Sequence, residues 1–579
     1  MRRRISVSVA LAAAAVAAML CGGCGPVVKQ SELPRKFEAP EYLSDTVGTA
    51  AFFTGADPVL VQGIGLVTGL RGTGSKTLPP GLKVRMMKIL GQNNVPRAES
   101  LLADPSTAVV FISGFIMPGA LENEPFDLAV AAAPGTETTS LEGGRLMPAD
   151  LARLEPTRTG TVAGSRLAIG AGETFVSPFT AGDRPSSASG SVRPIGPTDK
   201  PAPAVDDTRP AVDPRLAWII GGGRVLATRR FMLNLLEPGE RVADQIVTHI
   251  NARFPDAAKG RAQPGIIDFH VPPEYAHQKR HFLDVVGATY LVNSPTRREE
   301  RQRLLVAKLI EGPDRVPVSA ALEAFGKSVL TLVEPLANHA DPAVRYYAAD
   351  LMARMNQPNI MPVLEAFVRD DASPFQERAV ASLAELQGGV AAGIIRGALD
   401  ARSPTVRIAA YLALRRIAPN MLAAKVLPGR MELAAIRSQA EPFVFVARSL
   451  EPRVIVFGDV RLKPPVFVDT DRLLVSAQPG DAAVTLINKR FGVAGKIEAP
   501  LAVAEVIRIL AGPPMVDANH PRPQGLDLSY ADVVAFLDRA KMQGALAAPL
   551  VYEPIQIVTP DTGDGQGDTG TGDIIIPER

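Results

Sequence analysis

The sequence predicts an α+β fold with two mixed helix–strand regions, the second interrupted by an all-helical repeat. Three observations predict it. Strand-like apolar runs alternate with short amphipathic helices toward both ends of the chain. Three helix starts led by Pro342, Pro374 and Pro404 recur 32 and 30 residues apart. With 50 glycines and 51 prolines in 579 residues, turns and linkers are favoured over long helices.

The first residues decide the compartment. Arg2, Arg3 and Arg4 form a positive cluster, and Ile5 to Leu20 is an apolar, charge-free run suited to a signal segment and short for a membrane span. Small residues follow, ending in Gly22-Gly23-Cys24, as in a lipobox where the cysteine is acylated. Residues 1–24 are therefore expected to be a lipoprotein-type signal with Cys24 as the lipidation site, and 25–45 a tether. Cys21 and Cys24 are the only cysteines, so the mature chain is expected to hold no internal disulfide and no cysteine-based metal site. One acyl chain binds a membrane only marginally, so a stable anchor requires several. The formal net charge of +2 gives no strong field toward nucleic acid. One tryptophan and 5% aromatics disfavour a carbohydrate-stacking groove.

A first folded region is expected over 46–176. Ala108 to Ser113 and Phe126 to Val130 pattern as strands, and Leu82 to Leu90 as a helix with Val84, Met87 and Leu90 on one face. Residues 177–214 are a Pro/Ser-rich linker, too poor in apolar side chains to offset the entropy of ordering, and expected to stay disordered. The second region opens over 215–317. Val242, Ile246, Ile250 and Phe254 recur every four residues on a helix over 241–254, and Gly265 to Val271 alternates as a strand. The segment 318–436 patterns as helices, and Asp341-Pro342 and Ser403-Pro404 place a capping residue before a proline at the first helical position. Ser373-Pro374 is a weaker copy. Alternating helices of this kind resemble HEAT-type repeats, which stack because no single unit buries its own apolar face. Over 437–553 strands return at 452–461, followed by helices over 502–510 and 530–542. The low-complexity tail 554–579 is rich in Asp, Gly and Thr.

The most specific segment is Val61 to Gly74, with Gly63, Gly65, Gly69, Gly72 and Gly74 giving five glycines in twelve residues. Such spacing suits close backbone approach or turns with positive φ. The run resembles the opening G-x-G-L-V-x-G-L-x-G-T-G of the bacterial flagellar P-ring family. The likeness continues through Leu90-Gly91, Pro118-Gly119, Phe126 to Val130, and Ser140 to Leu146 (the family's S-L-x-G-G-x-L). It extends to the 239–254 helix with Asn251 in its asparagine position, Gly458-Asp459-Val460-Arg461, and a closing helix ending in Gly544-Ala545-Leu546. The helical repeat and the lipobox depart from the usual member.

This resemblance implies a non-enzymatic structural protein of the flagellar basal body. Copies would form a homo-oligomeric ring in the periplasm around the rod, with rod and L-ring proteins and peptidoglycan as partners and the membrane held through the N-terminal lipid. The five glycines are its assembly-critical candidates. A competing expectation is a non-flagellar envelope lipoprotein scaffold that uses the helical repeat as a partner-binding arm.

Other motifs fall short. Gly72-Thr73-Gly74-Ser75-Lys76-Thr77 has serine where a phosphate loop needs glycine before the lysine, and Gly63-Ile64-Gly65 lacks the rest of a dinucleotide fingerprint. His277 and His281 lie near His270 and Glu274, but without HExxH order a surface helix is the simpler reading. Arg297 to Arg303 mixes charge signs as a solvated helix face does. No nucleophile-elbow motif supports hydrolysis. No cofactor, metal or catalytic residue is expected.

Overall fold

The computed structural model describes residues 40–157, 160–176, 213–260, 265–291, 294–427, 431–447, 451–470, 472–489, 496–514 and 524–553. The expected signal with Cys24, the linker 177–212 and the tail from 554 lie outside the described residues.

The fold is α+β with a helical repeat between its mixed parts. A short helix, Val47–Ala50, leads into β1 (Ala51–Thr54). Then come β2 (Val59–Thr68), helices Pro80–Gln92 and Ala98–Leu102, β3 (Ala108–Ile116), β4 (Pro125–Ala132), β5 (Arg145–Thr157), β6 (Gly160–Glu173) and β7 (Leu216–Val225). Strands β2 to β7 close into a barrel in the order β2-β3-β4-β7-β6-β5. Period-2 alternation sends Val61 and Val67 of β2, with Val110, Ile112, Leu128 and Val130, into the barrel. Ile64 and Leu66 face outward, under Met86 and Leu90 of the first long helix. That helix presents Met86 and Leu90 to the barrel, while Val84 is 71% exposed. The face expected from Val84, Met87 and Leu90 is thus rotated, because the buried pair is spaced i, i+4.

A second unit combines β8 (Phe231–Leu235), helix Glu240–Arg253, β9 (Ala258–Gly260), β10 (Ile266–Phe269) and helix Lys279–Gly287. Its sheet order is β1-β8-β10-β9. Two boundaries are corrected here. Strand β1 precedes the barrel in sequence but pairs with β8, and β7 follows the linker but closes the barrel beside β4 and β6. The expected division at 176/215 therefore cuts through both units, since a closed barrel leaves no edge and recruits its last strand from beyond the linker. Asn251 fastens the Glu240–Arg253 helix to β9 by a two-way bond with the Ala258 main chain, at 2.9 and 2.8 Å.

Helices then run from Pro295–Glu311 to Pro404–Ile417. Asp341 caps its helix by accepting from the Ala343 N–H at 2.8 Å, and both Pro342 and Pro404 occupy the first helical turn as expected. The middle start is different, because the helix Gln376–Leu383 begins two residues after Pro374 while Phe375 stacks on Tyr346 at 4.6 Å. The end of the helical segment is also corrected: β11 (Ala424–Leu427) and β12 (Met431–Ile436) are strands. They join β13 (Phe443–Val446), β14 (Arg453–Phe457) and β19 (Leu550–Tyr552) in a sheet ordered β11-β12-β14-β13-β19. Strand β14 stops at Phe457, and Gly458, at φ +78, turns the chain out of it, so Gly458 to Arg461 is not strand. A four-stranded antiparallel sheet follows, of β15 (Val466–Asp469), β16 (Leu473–Ala477), β17 (Ala483–Asn488) and β18 (Lys496–Pro500), with helices Val503–Ala511 and Tyr530–Met542.

Alternation in the five-stranded sheet settles where the repeat sits. Ile436, Phe443, Phe445, Ile455 and Phe457 belong to the same apolar core as the repeat helices. Val444, Val446, Val454 and Val456 face the core of the four-stranded sheet and the last two helices. The repeat is one layer against a sheet, not a free arm.

Candidate assembly region

The five glycines divide by environment. Gly63 and Gly65 lie in β2, where the barrel closes on β5. Pairing there holds at Gln62↔Ala152 and Val67↔Leu146 with a register shift between them. A Cβ at Gly63 would stand 2.5 Å from the Asp150 carbonyl oxygen. At Gly65 it would stand 2.8 Å from both Ile112 Cδ1 and Leu146 Cδ1. Bare backbone is what lets the seam bend and shut. Gly74 is tighter, since its Cβ would fall 2.0 Å from the Thr107 oxygen. Its N–H donates to Pro105 O at 2.9 Å, lacing the 69–77 loop to the 104–107 turn. Gly69 and Gly72 are exposed, at φ +81 and +77, with open space where a Cβ would go. So Gly63, Gly65 and Gly74 close the barrel within one copy, and Gly69 and Gly72 only turn the chain at its rim.

The 140–146 motif joins the barrel to the C-terminal half. Leu141 is fully buried, and Thr174 donates to the Leu141 and Gly144 carbonyls at 2.5 and 2.9 Å. Gly143 O accepts from Arg472 Nη2 at 2.9 Å, and Arg472 also pairs with Asp532 at 3.4 Å. Phe175 packs beside Tyr530 with ring centroids 6.3 Å apart. A cleft of about 900 Å³ opens at this joint. Arg145, Glu173 and Arg224 line it from the barrel, opposite Arg415, Glu432 and Glu451.

Two of the residues weighed as metal ligands, His277 and His281, instead fasten the second unit to the repeat. His281 Nε2 lies 2.7 Å from Oε2 of the fully buried Glu323, and Tyr275 donates to Glu323 Oε1 at 2.6 Å. Arg354 donates to Gln278 at 2.6 Å, and Gln278 donates to Glu385 at 2.8 Å. Arg416 donates to Glu385 at 2.8 Å, and His277 Nε2 lies 3.1 Å from the same carboxylate oxygen. Glu323, Arg354, Glu385 and Arg416 follow one another at the 31-residue spacing of the Glu385–Arg416 pair. The same spacing recurs in Asn356–Gln387 and Tyr347–Arg378. This ladder of alternating charge is a readable sequence signal that proline spacing alone misses. Arg301, within the mixed-charge run, is similarly engaged with Ser44 at 2.8 Å.

Burial opposes the charged form of Asp350, but Arg354 and the Ser382 hydroxyl outweigh it and hold that carboxyl below its ordinary range. Burial likewise opposes Glu385, and the His277 contact and Arg416 charge outweigh it. A carboxyl depressed in the folded state contributes stability above its unfolded pKa and loses it as pH falls through the folded value. The Asp350 and Glu385 contacts are therefore expected to hold fully at neutral pH and to be lost only in acid, as the pH falls below the ordinary carboxylate range. Glu385→Ala is expected to cost about 1–3 kcal/mol by stranding its donors. Arg354→Ala combined with it should depart from additivity by about 0.5 kcal/mol or more, because both act on Gln278. Denaturant titration of the two single variants and the double variant checks this, and strict additivity would refute the shared link.

Residues 329–415 match the family of HEAT repeats. The chain is also similar to flagellar P-ring proteins of Thermotoga petrophila, Thermotoga sp. (strain RQ2) and Thermotoga maritima. Each is 39% identical over 102 residues, covering 17% of this chain and 29% of the relative. The match thus spans less than a third of those proteins' length.

Proposed function

We propose that the chain is a structural, non-catalytic component of the flagellar basal body, forming a ring akin to the P ring. The observation that carries this reading is the 39% identity over 102 residues to flagellar P-ring proteins. The order of family-like motifs along both mixed regions supports it, as does the physical role several of them have: Gly63 and Gly65 at the barrel seam, Gly143 at the joint and Asn251 at β9. A ring needs a heterologous interface, one face of each copy meeting a different face of the next. Neighbouring copies are the first partners. Rod and L-ring proteins and peptidoglycan follow, with the periplasm as compartment and a lipid on Cys24 as the membrane tie.

The test is electron microscopy of basal bodies purified from wild-type and gene-deleted cells, with swimming assayed in parallel. Loss of a periplasmic ring and of motility, both restored by the gene, is expected. Intact rings in the deletion would overturn the flagellar reading in favour of an envelope scaffold. In the same cells a palmitate analogue should label the wild type and not Cys24→Ser, and an unlabelled wild type would remove the lipid anchor from the proposal.

A further inference from the structure

We propose that the cleft between the barrel and the C-terminal half is a docking groove for an extended, acidic segment of a partner protein. The barrel wall behind the cleft is incomplete. Strands β6 and β7 pair at Gly170↔Gly223, and the chain pairs again at Phe175↔Trp218, five residues further along each side and so in the same register. Between those points residues 171–174 and 219–222 form no ladder pair with one another. Phe175 bonds both ways with Trp218, at 2.7 and 2.8 Å, whereas the Thr174 N–H turns the other way to the Gly144 carbonyl at 2.9 Å. Alternation along the strand then directs the main chain of Ala171 and Glu173 toward β7, where no ladder partner meets it. On β7 the gap coincides with a register shift against β4, held by the Gly221 N–H donating to Asp127 at 2.6 Å.

The sequence of β7 there is Ile219-Ile220-Gly221-Gly222-Gly223. Gly221, at φ +60, and Gly172, at φ +145, hold backbone that residues with side chains rarely adopt. Both line the cleft together with Gly222, so the gap presents bare main chain to it. Glycine within a strand marks a place where a ligand or another backbone approaches closely. An extended peptide is the ligand whose own N–H and C=O groups match a row of unpaired main chain. At the rise of a strand, the four-residue gap takes about 13 Å of such a peptide.

Charge selects the peptide. Arg145 and Arg224 line the same wall, both exposed, and neither pairs with a carboxylate among the described residues. Arg224 reaches only the Asn123 carbonyl, at 3.5 Å. It stands opposite Ile169, and Arg145 opposite Glu173, so the two arginines flank the gap four β6 residues apart. Glu173 makes no ion pair with Arg145 and offsets one of the two charges, which leaves the wall cationic. On the facing wall the charges satisfy one another. Arg415 donates to Glu432 at 2.8 Å and also pairs with Glu451, and Arg453 donates to Glu451 at 2.8 Å. Two open guanidiniums at this spacing match carboxylates at i and i+4 of an extended chain, which fall on one side of it. Phe175, Ile220, Leu427 and Tyr530 give the residues between them an apolar surface. This inference does not rest on the ring reading.

Trp218, the chain's single tryptophan, closes one end of the gap and reports on it. In the full chain, titration with acetyl-Glu-Val-Thr-Val-Glu-amide is expected to shift Trp218 fluorescence saturably, with half-saturation below about 1 mM. Arg145→Ala and Arg224→Ala should each weaken binding about three- to fivefold, and together about tenfold or more. Both side chains are exposed, so the urea midpoints of these variants should match the wild type. The same peptide N-methylated at both valines keeps its charges but loses main-chain donors, and should bind about tenfold more weakly. No saturable shift, or equal affinity for the charge-reversed Lys-Val-Thr-Val-Lys peptide, would overturn the proposal. Undiminished binding of the N-methylated peptide would overturn the pairing of an extended backbone with the gap. Self-association of the wild type that the acidic peptide reverses would overturn the assignment to a different protein and give the groove to a second copy.

Discussion

Gly74→Val is expected to unfold the barrel, and Gly65→Val to weaken it severely, while Gly69→Val leaves it folded. The ranking comes from what an added side chain would meet. At Gly74 the first new atom would lie 2.0 Å from one backbone carbonyl oxygen and 2.7 Å from another, and neither can swing aside as a side chain can. The loop must detach from the 104–107 turn, losing the Gly74–Pro105 and Ser75–Thr107 bonds with it. A cost above about 3 kcal/mol is expected, a large share of the roughly 5–15 kcal/mol that holds a domain folded. At Gly65 the obstacles are the tips of Ile112 and Leu146, which have some freedom, so about 1–3 kcal/mol is expected. Gly69 meets nothing and pays only for its left-handed backbone, about 1–2 kcal/mol.

The protein's single tryptophan is a convenient reporter. Trp218 lies in β7, bridged to Phe175. Its fluorescence midpoint in urea should fall in the order Gly69, Gly65, Gly74, with Gly190→Val in the linker as the unaffected control. An unchanged Trp218 transition in Gly74→Val would defeat the packing argument. On the proposed ring reading, ring recovery would separate two roles, since a variant that keeps its barrel yet loses rings would restore Gly69 to the assembly surface.

Much of this was legible in the sequence, and the failures have physical causes. The 3.6-residue period found the Glu240–Arg253 and Tyr530–Met542 helices to within a residue or two, because their buried positions are spaced without interruption. Short apolar runs found β3 and β4. Topology was hidden. Nothing local in Leu216 to Val225 says that it pairs with β4, 84 residues or more upstream, rather than with β8 beside it. The strands at 424–436 were hidden too, since Met431 to Ile436 is five parts buried and so lacks the polar alternation that separates a strand from a helix. The glycine run was legible as close approach, but not that the approach is internal, because spacing carries no information about which backbone comes near.

Arg407→Ala is expected to unseat the helical repeat from the five-stranded sheet at a cost of about 3–5 kcal/mol. Arg407 is fully buried in the first turn of the Pro404–Ile417 helix. Its guanidinium lies 4.7 Å from the Phe443 ring and 5.0 Å from the Phe457 ring, and those rings stack on one another at 4.5 Å. It donates to the Leu399 carbonyl at 3.2 Å and to the Glu441 carbonyl at 2.7 Å. One and two turns on, Tyr411 and Arg415 both donate to Glu432 of β12, so residues 407, 411 and 415 form one line of attachment between helix and sheet. Truncation to alanine leaves two carbonyls short of a donor, at about 1–3 kcal/mol each, and removes a desolvated cation–π contact worth about 2 kcal/mol. Release of a buried charge offsets part of that sum, which is why the expected loss is smaller than the parts. Arg407→Lys keeps the charge but not the planar fork, and should fall between the two. Hydrogen exchange is the measurement, because it resolves the sheet from the barrel. In Arg407→Ala the amides of β12, β13 and β14 should exchange faster by about two orders of magnitude or more, while those of β2 and β3 stay near their wild-type rates. Equal acceleration in barrel and sheet would mean that the two halves unfold as one. No acceleration would mean that the helix is held by its apolar face alone.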